Sequence, residues 1–350
     1  MSVEVTSHQL HLPRKKFEIS SGLKESADVF ILEVRLGNLI GIGSGTPATS
    51  IGDTVKKCAK ALEFSKDLRI DIDEYFDGEI PDEMRERSPA AAAALDIAMW
   101  DLKARTQCMS LAELLGGEVK PLPTDATIDL TRPEDARKDV SRMVREGYES
   151  IKVKVGRSMT EDLERTRVVR EEAGPDIRIF VDANGGYDVK RAQDFWESAS
   201  DLDLEFFEQP LPGDMLDGLA SLRESGITIC ADESFVDEDS LRRIIDLEAA
   251  DLVNLKLMKS GGLTQAIRLE KVAKEAGIGM MVGCMGDVGI SIGAAAHFAC
   301  CIGPRQVDLD SHLNIMQICD GPPVSDGKVV LGDELGLGIR LADNWQRWKA

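Results

Sequence analysis

Six charged residues sit at the ends of short apolar runs: Lys152 and Lys154 in "ESIKVKVG", Asp182 in "IRIFVDANGG", Glu208 in "EFFEQP", Asp232 in "ITICADES" and Lys256 in "DLVNLKL". Three carboxylates aimed at one point repel one another unless a cation sits among them. Mg²⁺ suits such an all-oxygen set and keeps positions open for substrate and water. A lysine close to a cation and to another lysine, in a dry cleft, has its pKa pushed down and can act as a neutral base near pH 7. With Lys154 on one flank and Lys256 on the other, an α-proton beside a metal-held carboxylate can be taken from one face and returned to the other. The charge passes through an enediolate that the metal stabilises. Chemistry of this kind inverts a stereocentre.

Spacing decides whether these residues can meet. From Lys154 to Asp182 is 28 residues, then 26 to Glu208, 24 to Asp232, 24 to Lys256 and 52 to Asp308. Each interval is one strand-plus-helix unit, or two for the last. From residue 123 onward the chain alternates short apolar strands with amphipathic helices, the strands being "PTDATIDL", "SIKVKV", "IRIFVDANGG", "EFFEQP", "ITICADES", "DLVNLKL", "GMMVGCM" and "QVDLDS". Eight such steps predict a closed parallel barrel whose strand ends converge on one face. The two-residue period of a strand puts Lys152 and Lys154 on one side and Ile151, Val153 and Val155 on the other. A lone strand lysine is usually a solvated edge, and a lone strand-end carboxylate often caps a helix. Three carboxylates in consecutive units, with lysines on both flanks, favour the shared interior. Lys259, in "KLMKSGG", reads as a surface charge in a loop.

Residues 1–122 follow a different pattern. Alternating segments such as "ADVFILEVRL" are followed by helical ones, among them "AAAAALDIAMWDLKAR", which predicts an α+β unit. The expected fold is therefore α/β, a barrel over residues 123–319 with an α+β cap over 1–122, and a tail over 320–350 returning to the cap.

Composition narrows the partners. The 350 residues carry 62 acidic against 42 basic side chains, a net charge of −20, which repels nucleic acids and anionic membranes. The start of the chain, "MSVEVTSHQLHLPRKKFEIS", has no apolar signal region, and no stretch approaches a membrane span. Seven cysteines without CxxC spacing suggest neither a disulfide framework nor a zinc site. A cytoplasmic protein acting on a small molecule is the expectation, with assembly into a homo-oligomer open.

The quoted motifs, "KVKVG", "VDANGGY", "FEQPLP", "ADES" and "NLKLMKSGG", with "ALDIAMWDLKAR…LLGG" earlier, resemble the enolase superfamily, muconate-lactonizing-enzyme subgroup. Within it, the "DLD" of Asp308 and Asp310 is similar to the aspartate pair by which dipeptide epimerases hold the substrate's ammonium group. The resemblance implies a modified TIM barrel, (β/α)₇β, under a capping domain. It implies Mg²⁺ on Asp182, Glu208 and Asp232, acid/base roles for Lys154 and Lys256, and support of the substrate carboxylate by Lys152. Thr127 and Cys284 fall where the family contacts the dipeptide. Lys24, in "SSGLKES", falls near a basic residue of Ala-Glu epimerases. The implied substrate is an L-Ala-D/L-Xaa dipeptide, Xaa being glutamate first and a hydrophobic residue next, which would suit recycling of cell-wall peptides. The sequence departs from the family at Asp287 and Ser44, where glutamate is common; both are expected in loops. A lyase of the same subgroup, such as an o-succinylbenzoate synthase or cycloisomerase, would keep the lysines and carboxylates but have no use for Asp308 and Asp310. A non-catalytic binding protein would not need lysines flanking its metal.

Overall fold

A computed structural model describes residues 3–19, 22–65, 75 and 82–350. The cap opens with an antiparallel sheet of β1 (Glu4–Ile19), β2 (Gly22–Leu36) and β3 (Leu39–Gly45). Against it packs the helix Pro89–Thr106, begun by Ser88, whose side chain accepts the Ala91 amide, and by Pro89 in the first turn. Its run of alanines keeps the helix thin, and its contact with β3 is made backbone to backbone. A Cβ on Gly41, Gly43 or Gly45 would collide with the carbonyl oxygen of Ala98, Ala94 or Ala90 respectively. Steps of two on the strand thus match steps of four on the helix, the two periods that put side chains on one face. The sequence "GIGSG" is a docking surface, and Ser44 lies within β3 rather than in a loop.

After β4 (Leu122–Pro123), eight parallel strands follow in chain order: β5 (Ala126–Ile128), β6 (Ser150–Lys154), β7 (Arg178–Asp182), β8 (Leu204–Glu208), β9 (Ile229–Ala231), β10 (Leu252–Leu255), β11 (Gly279–Gly283) and β12 (Gln306–Asp308). The ring closes where the Asp125 amide donates to the Val307 carbonyl and the Leu309 amide to Thr124 Oγ1. The expected α/β barrel with its cap is present.

Alternation along each strand sorts the core into two layers. Ile151 and Val153 of β6, Ile179 and Val181 of β7 and Phe207 of β8 join the shell between sheet and helices. Phe180, Phe206, Cys230, Leu252 and Met281 form a separate cluster within the barrel, with Phe180 and Phe206 stacked at 4.4 Å. Lys152 stands above that floor, its Nζ 5.9 Å from the centre of the Phe180 ring.

The tail ties the two parts together. Strands β13 (Val324–Ser325) and β14 (Lys328–Val329) join β4 in a small sheet. Further on, the Leu337 amide donates to Asp101 of the cap helix at 2.7 Å, and Lys349 bridges Leu10 of β1. Among the described residues no helix is long and apolar enough to cross a membrane.

Candidate active site

The inward positions at the carboxy-terminal ends of the barrel strands are charged. Lys152 and Lys154 on β6, Asp182 on β7, Glu208 on β8, Asp232 just after β9 and Lys256 just after β10 are all buried. Parallel pairing sets Lys154 beside Asp182 and Asp182 beside Glu208. Because β6 and β10 are four steps apart in a ring of eight, Lys154 and Lys256 face each other across the barrel mouth with the carboxylates between them.

Each lysine has a specific set of oxygens. Lys152 Nζ lies 2.9 Å from Asp182 Oδ2, 2.8 Å from Glu208 Oε2 and 2.8 Å from Asp308 Oδ2. Lys154 donates to Asp182 Oδ2 at 2.5 Å and Asn184 Oδ1 at 2.9 Å. Lys256 donates to Asp232 Oδ2 at 2.5 Å. Lys259, read from the sequence as a surface charge, is instead buried: in the single turn Leu257–Ser260 it lies three residues past Lys256, on the same side. There it donates to Asp232 Oδ1 and to the Asp232 carbonyl at 2.5 and 2.6 Å. Asn254, also missed in the sequence, donates to Glu208 Oε1 at 2.8 Å.

Protonation follows from these neighbours. Burial pushes the Asp182 carboxyl up, but Lys152 and Lys154 outweigh it and hold it down to about 2. Asp232 is held well below the usual range against burial by Lys256 and Lys259. Glu208 is pushed up to about 7 by burial and by Asp182, with Lys152 opposing. Lysines depressed toward neutrality are expected beside a cation; the carboxylates by themselves act the other way on Lys152 and Lys256. Burial lowers both, but the facing carboxylates, Asp182 first for Lys152 and Asp232 first for Lys256, raise them further. Lys259 is the buried lysine that ends lowered, by burial that Asp232 only partly offsets.

The donor set fits a hard divalent cation. Three carboxylates stand on successive strands, and Glu208 Oε2, fully buried, accepts no well-directed hydrogen bond among the described residues while the Lys152 ammonium lies against it. Oxygen ligands of this charge suit Mg²⁺. Lysine ammonium groups lie among the oxygens of Asp182, Glu208 and Asp232. Among the described residues, the group whose ligand atoms all fall within 4.8 Å of one another is Cys284, Asp308 and Asp310.

That second cluster is the other end of the site. Asp310 Oδ2 accepts the Thr127 amide at 3.0 Å, and burial with the neighbouring Asp308 pushes Asp310 up to about 6. Thr127, Cys284, Asp308 and Asp310 line a small pocket of about 60 Å³ that also reaches Lys152, Lys154 and Lys256. Beneath it Asp125, unmarked in the sequence reading, is fully buried with no hydrogen bond to either carboxylate oxygen. A cleft of about 680 Å³ continues the pocket under the cap, between Lys154, Lys256, Cys284 and cap residues from Arg14 to Val55.

Asp287 is buried beside the pocket with the Met285 amide on its carboxylate, and Ser44 Oγ donates to Ser291 Oγ at 3.0 Å, so both departures from the family pattern lie in the packed seam of cap and barrel. Lys24 pairs through its backbone with Phe17, but its side chain lies outside the described residues.

Comparison with known proteins gives the same outline. Residues 2–116 match the mandelate racemase / muconate lactonizing enzyme N-terminal domain, and residues 135–345 match the enolase C-terminal domain-like family. The hydrophobic dipeptide epimerase of Enterococcus faecalis is 32% identical over 96% of this chain and 98% of its own. The structure of N-succinyl Arg/Lys racemase from Bacillus cereus superposes with a TM-score of 0.93 at 28% identity, covering 100% of this chain and 98% of that one. The E. faecalis dipeptide epimerase complexed with Mg and L-Leu-L-Tyr superposes with a TM-score of 0.91 at 30% identity, over 97% and 99%.

Proposed function

The chain belongs to the mandelate racemase / muconate lactonizing enzyme family of the enolase superfamily and is an isomerase; from that premise we propose that it is a Mg²⁺-dependent dipeptide epimerase inverting the α-carbon of the carboxy-terminal residue. The observation that carries this reading is the opposition of Lys154 and Lys256 across the barrel mouth, each held on a different carboxylate of the Asp182–Glu208–Asp232 set.

Asp182, Glu208 and Asp232 would hold Mg²⁺, which when bound supplies positive charge to the substrate carboxylate and to the enediolate formed from it. Lys152, already bridging three carboxylates, orients the substrate's carboxylate end. Asp308 and Asp310 take its ammonium group. Thr127 and Cys284 flank the peptide, and between the ends the α-carbon lies between Lys154 Nζ and Lys256 Nζ. One amine removes the proton while the opposite ammonium delivers another to the far face, so the two lysines exchange protonation states with each turnover in either direction.

Of L-Ala-D/L-Xaa dipeptides, glutamate leads as the carboxy-terminal residue and a hydrophobic residue follows. The test is incubation with Mg²⁺ in D₂O against a library of L-Ala-L-Xaa dipeptides, read by mass. A gain of about one mass unit on particular members establishes α-proton exchange and names Xaa. Silence from folded, metal-loaded protein across this library and across L-Xaa-L-Xaa dipeptides with other amino-terminal residues, acidic ones included, would turn the assignment to a lyase of the same family.

A further inference from the structure

The cap strand β1 carries an irregularity over the active site. Pro13 pairs with Ser26 and Phe17 with Lys24, so Arg14, Lys15 and Lys16 oppose the single residue Glu25. A bulge of this kind bends its strand and re-aims a side chain. Here it turns β1 onto the barrel: Arg14 forms a backbone bridge with Ile315, and the Pro13 carbonyl accepts the Met316 amide at 2.9 Å. Ile315 and Met316 follow the turn Ser311–Asn314, which directly succeeds Asp308 and Asp310.

Lys15 and Lys16 are exposed, but the Arg14 side chain is partly buried and lines both the small pocket at the strand ends and the cleft under the cap. Burial lowers the Arg14 guanidinium from its ordinary value, and the carboxylate of Asp310, which lines the same pocket, opposes that. Arg14 Nη1 lies against the loop after β11, 3.7 Å from where a Cβ on Gly286 would stand. A cation is therefore held, on a strand fixed by two backbone contacts to the segment after Asp310, in the pocket that Asp308 and Asp310 also line.

On the dipeptide reading, on which this inference rests, that end receives the amino-terminal half of the substrate. The sequence resemblance puts alanine there, and a methyl group offers a guanidinium nothing to bind. With five N–H donors in a fixed fork, Arg14 can face Asp310 with one edge and a ligand carboxylate with another. We propose that Arg14 is a specificity-determining residue that selects substrates whose amino-terminal half carries a second carboxylate, as an acidic amino-terminal residue does in place of alanine.

The same carboxylate could be presented by a dicarboxylic acyl group on the nitrogen, so the experiment compares L-Glu-L-Xaa, L-Gln-L-Xaa and N-succinyl-L-Xaa at fixed Xaa. Each is followed by α-proton exchange in D₂O and by calorimetric binding to the Mg²⁺-loaded protein. Wild-type protein should favour the glutamyl over the glutaminyl compound by about 10- to 100-fold. Arg14→Gln should bring that ratio close to one, and Arg14→Lys should restore part of it. A larger preference for the N-succinyl compound that also disappears in Arg14→Gln upholds the assignment and identifies the acyl form. Equal treatment of the glutamyl and glutaminyl compounds by wild type, or a ratio unchanged in Arg14→Gln, overturns it and makes Arg14 a brace between cap and barrel. If no compound exchanges, the epimerase reading fails, while the binding ratio still decides the role of Arg14.

Discussion

Lys256 and Asp232 meet at 2.5 Å across the ends of two neighbouring barrel strands, so an expected proton carrier and an expected metal ligand hold each other. The same arrangement recurs opposite, where Lys154 holds Asp182 at 2.5 Å. The Lys256 ammonium is stabilised by the Asp232 carboxylate, and Asp182 and Asp232 are kept ionised by the lysines that touch them. A positive ion taken by the carboxylates competes with both of these contacts, so metal binding and the freeing of the two lysines are linked.

Lys154→Ala and Lys256→Ala should each abolish epimerisation, with losses of about 10²–10⁴-fold or more. Because each lysine serves one face of the α-carbon, residual solvent exchange should survive for one stereoisomer in the first variant and for the other in the second. Mass spectrometry of recovered L,L and L,D dipeptides after incubation in D₂O reads this directly. Equal loss of exchange for both isomers in either variant would contradict a two-base mechanism.

Lys259 pins Asp232 through one carboxylate oxygen and the backbone carbonyl. Lys259→Met keeps most of the side-chain volume but leaves Asp232 held only through its other oxygen, by Lys256, and the loss of such a supporting contact typically weakens metal affinity about 10- to 100-fold. Titration calorimetry with Mg²⁺ on the two proteins checks it, and retained affinity in the variant would show that Lys259 only fills space.

Gly43→Ala tests the docking of sheet on helix. The added Cβ would collide with the Ala94 carbonyl oxygen, and neither the strand nor the helix backbone can yield locally. Overpacking of this sort costs about 1–3 kcal/mol or more. A denaturant midpoint equal to that of the wild type would mean that the helix and β3 are not in the contact described.

His297 and His312 set an acid limit on stability. The Ala112 amide donates to His297 Nδ1 and the ring's Nε2 faces the Leu337 carbonyl, which fixes a neutral tautomer, while His312 Nε2 faces the Pro322 carbonyl. Burial lowers both rings to about 4. A depressed pKa means that the neutral folded form is favoured above the unfolded value of about 6.5 and that this contribution is lost as pH falls from there toward 4. The loss amounts to roughly 3 kcal/mol per ring when complete. Urea unfolding at pH 7, 5.5 and 4.5 should show the decline, and His297→Gln should make it shallower; an unchanged slope would remove His297 from the account.

Much of the site was legible before any coordinates. The barrel, its cap and the interior face of Lys152 and Lys154 follow from strand periodicity and from charged residues recurring once per strand-and-helix unit, because a parallel barrel converts regular sequence intervals into neighbours at one face. Local pattern could not show what depends on packing between distant segments. Lys259 looked like a loop cation because a single helical turn carries no periodic signal, yet that turn buries it on Asp232. The pull of the carboxylates on Lys152 and Lys256 could not be read either, because it depends on which carboxylates lie within 3 Å, a matter of tertiary distance. Arg14 stood unmarked in "PRKK", where its neighbours are equally basic; only the bulge in β1 and the bridge to Ile315 separate the arginine that enters the site from the lysines that stay in water. The sequence by itself determined which chemical groups the barrel presents, since that rests on residue type and period. Tertiary structure decided which charges face one another and which cap residue reaches them, because electrostatic interaction depends on separation and burial, and residues far apart in the chain acquire both only when the chain has folded.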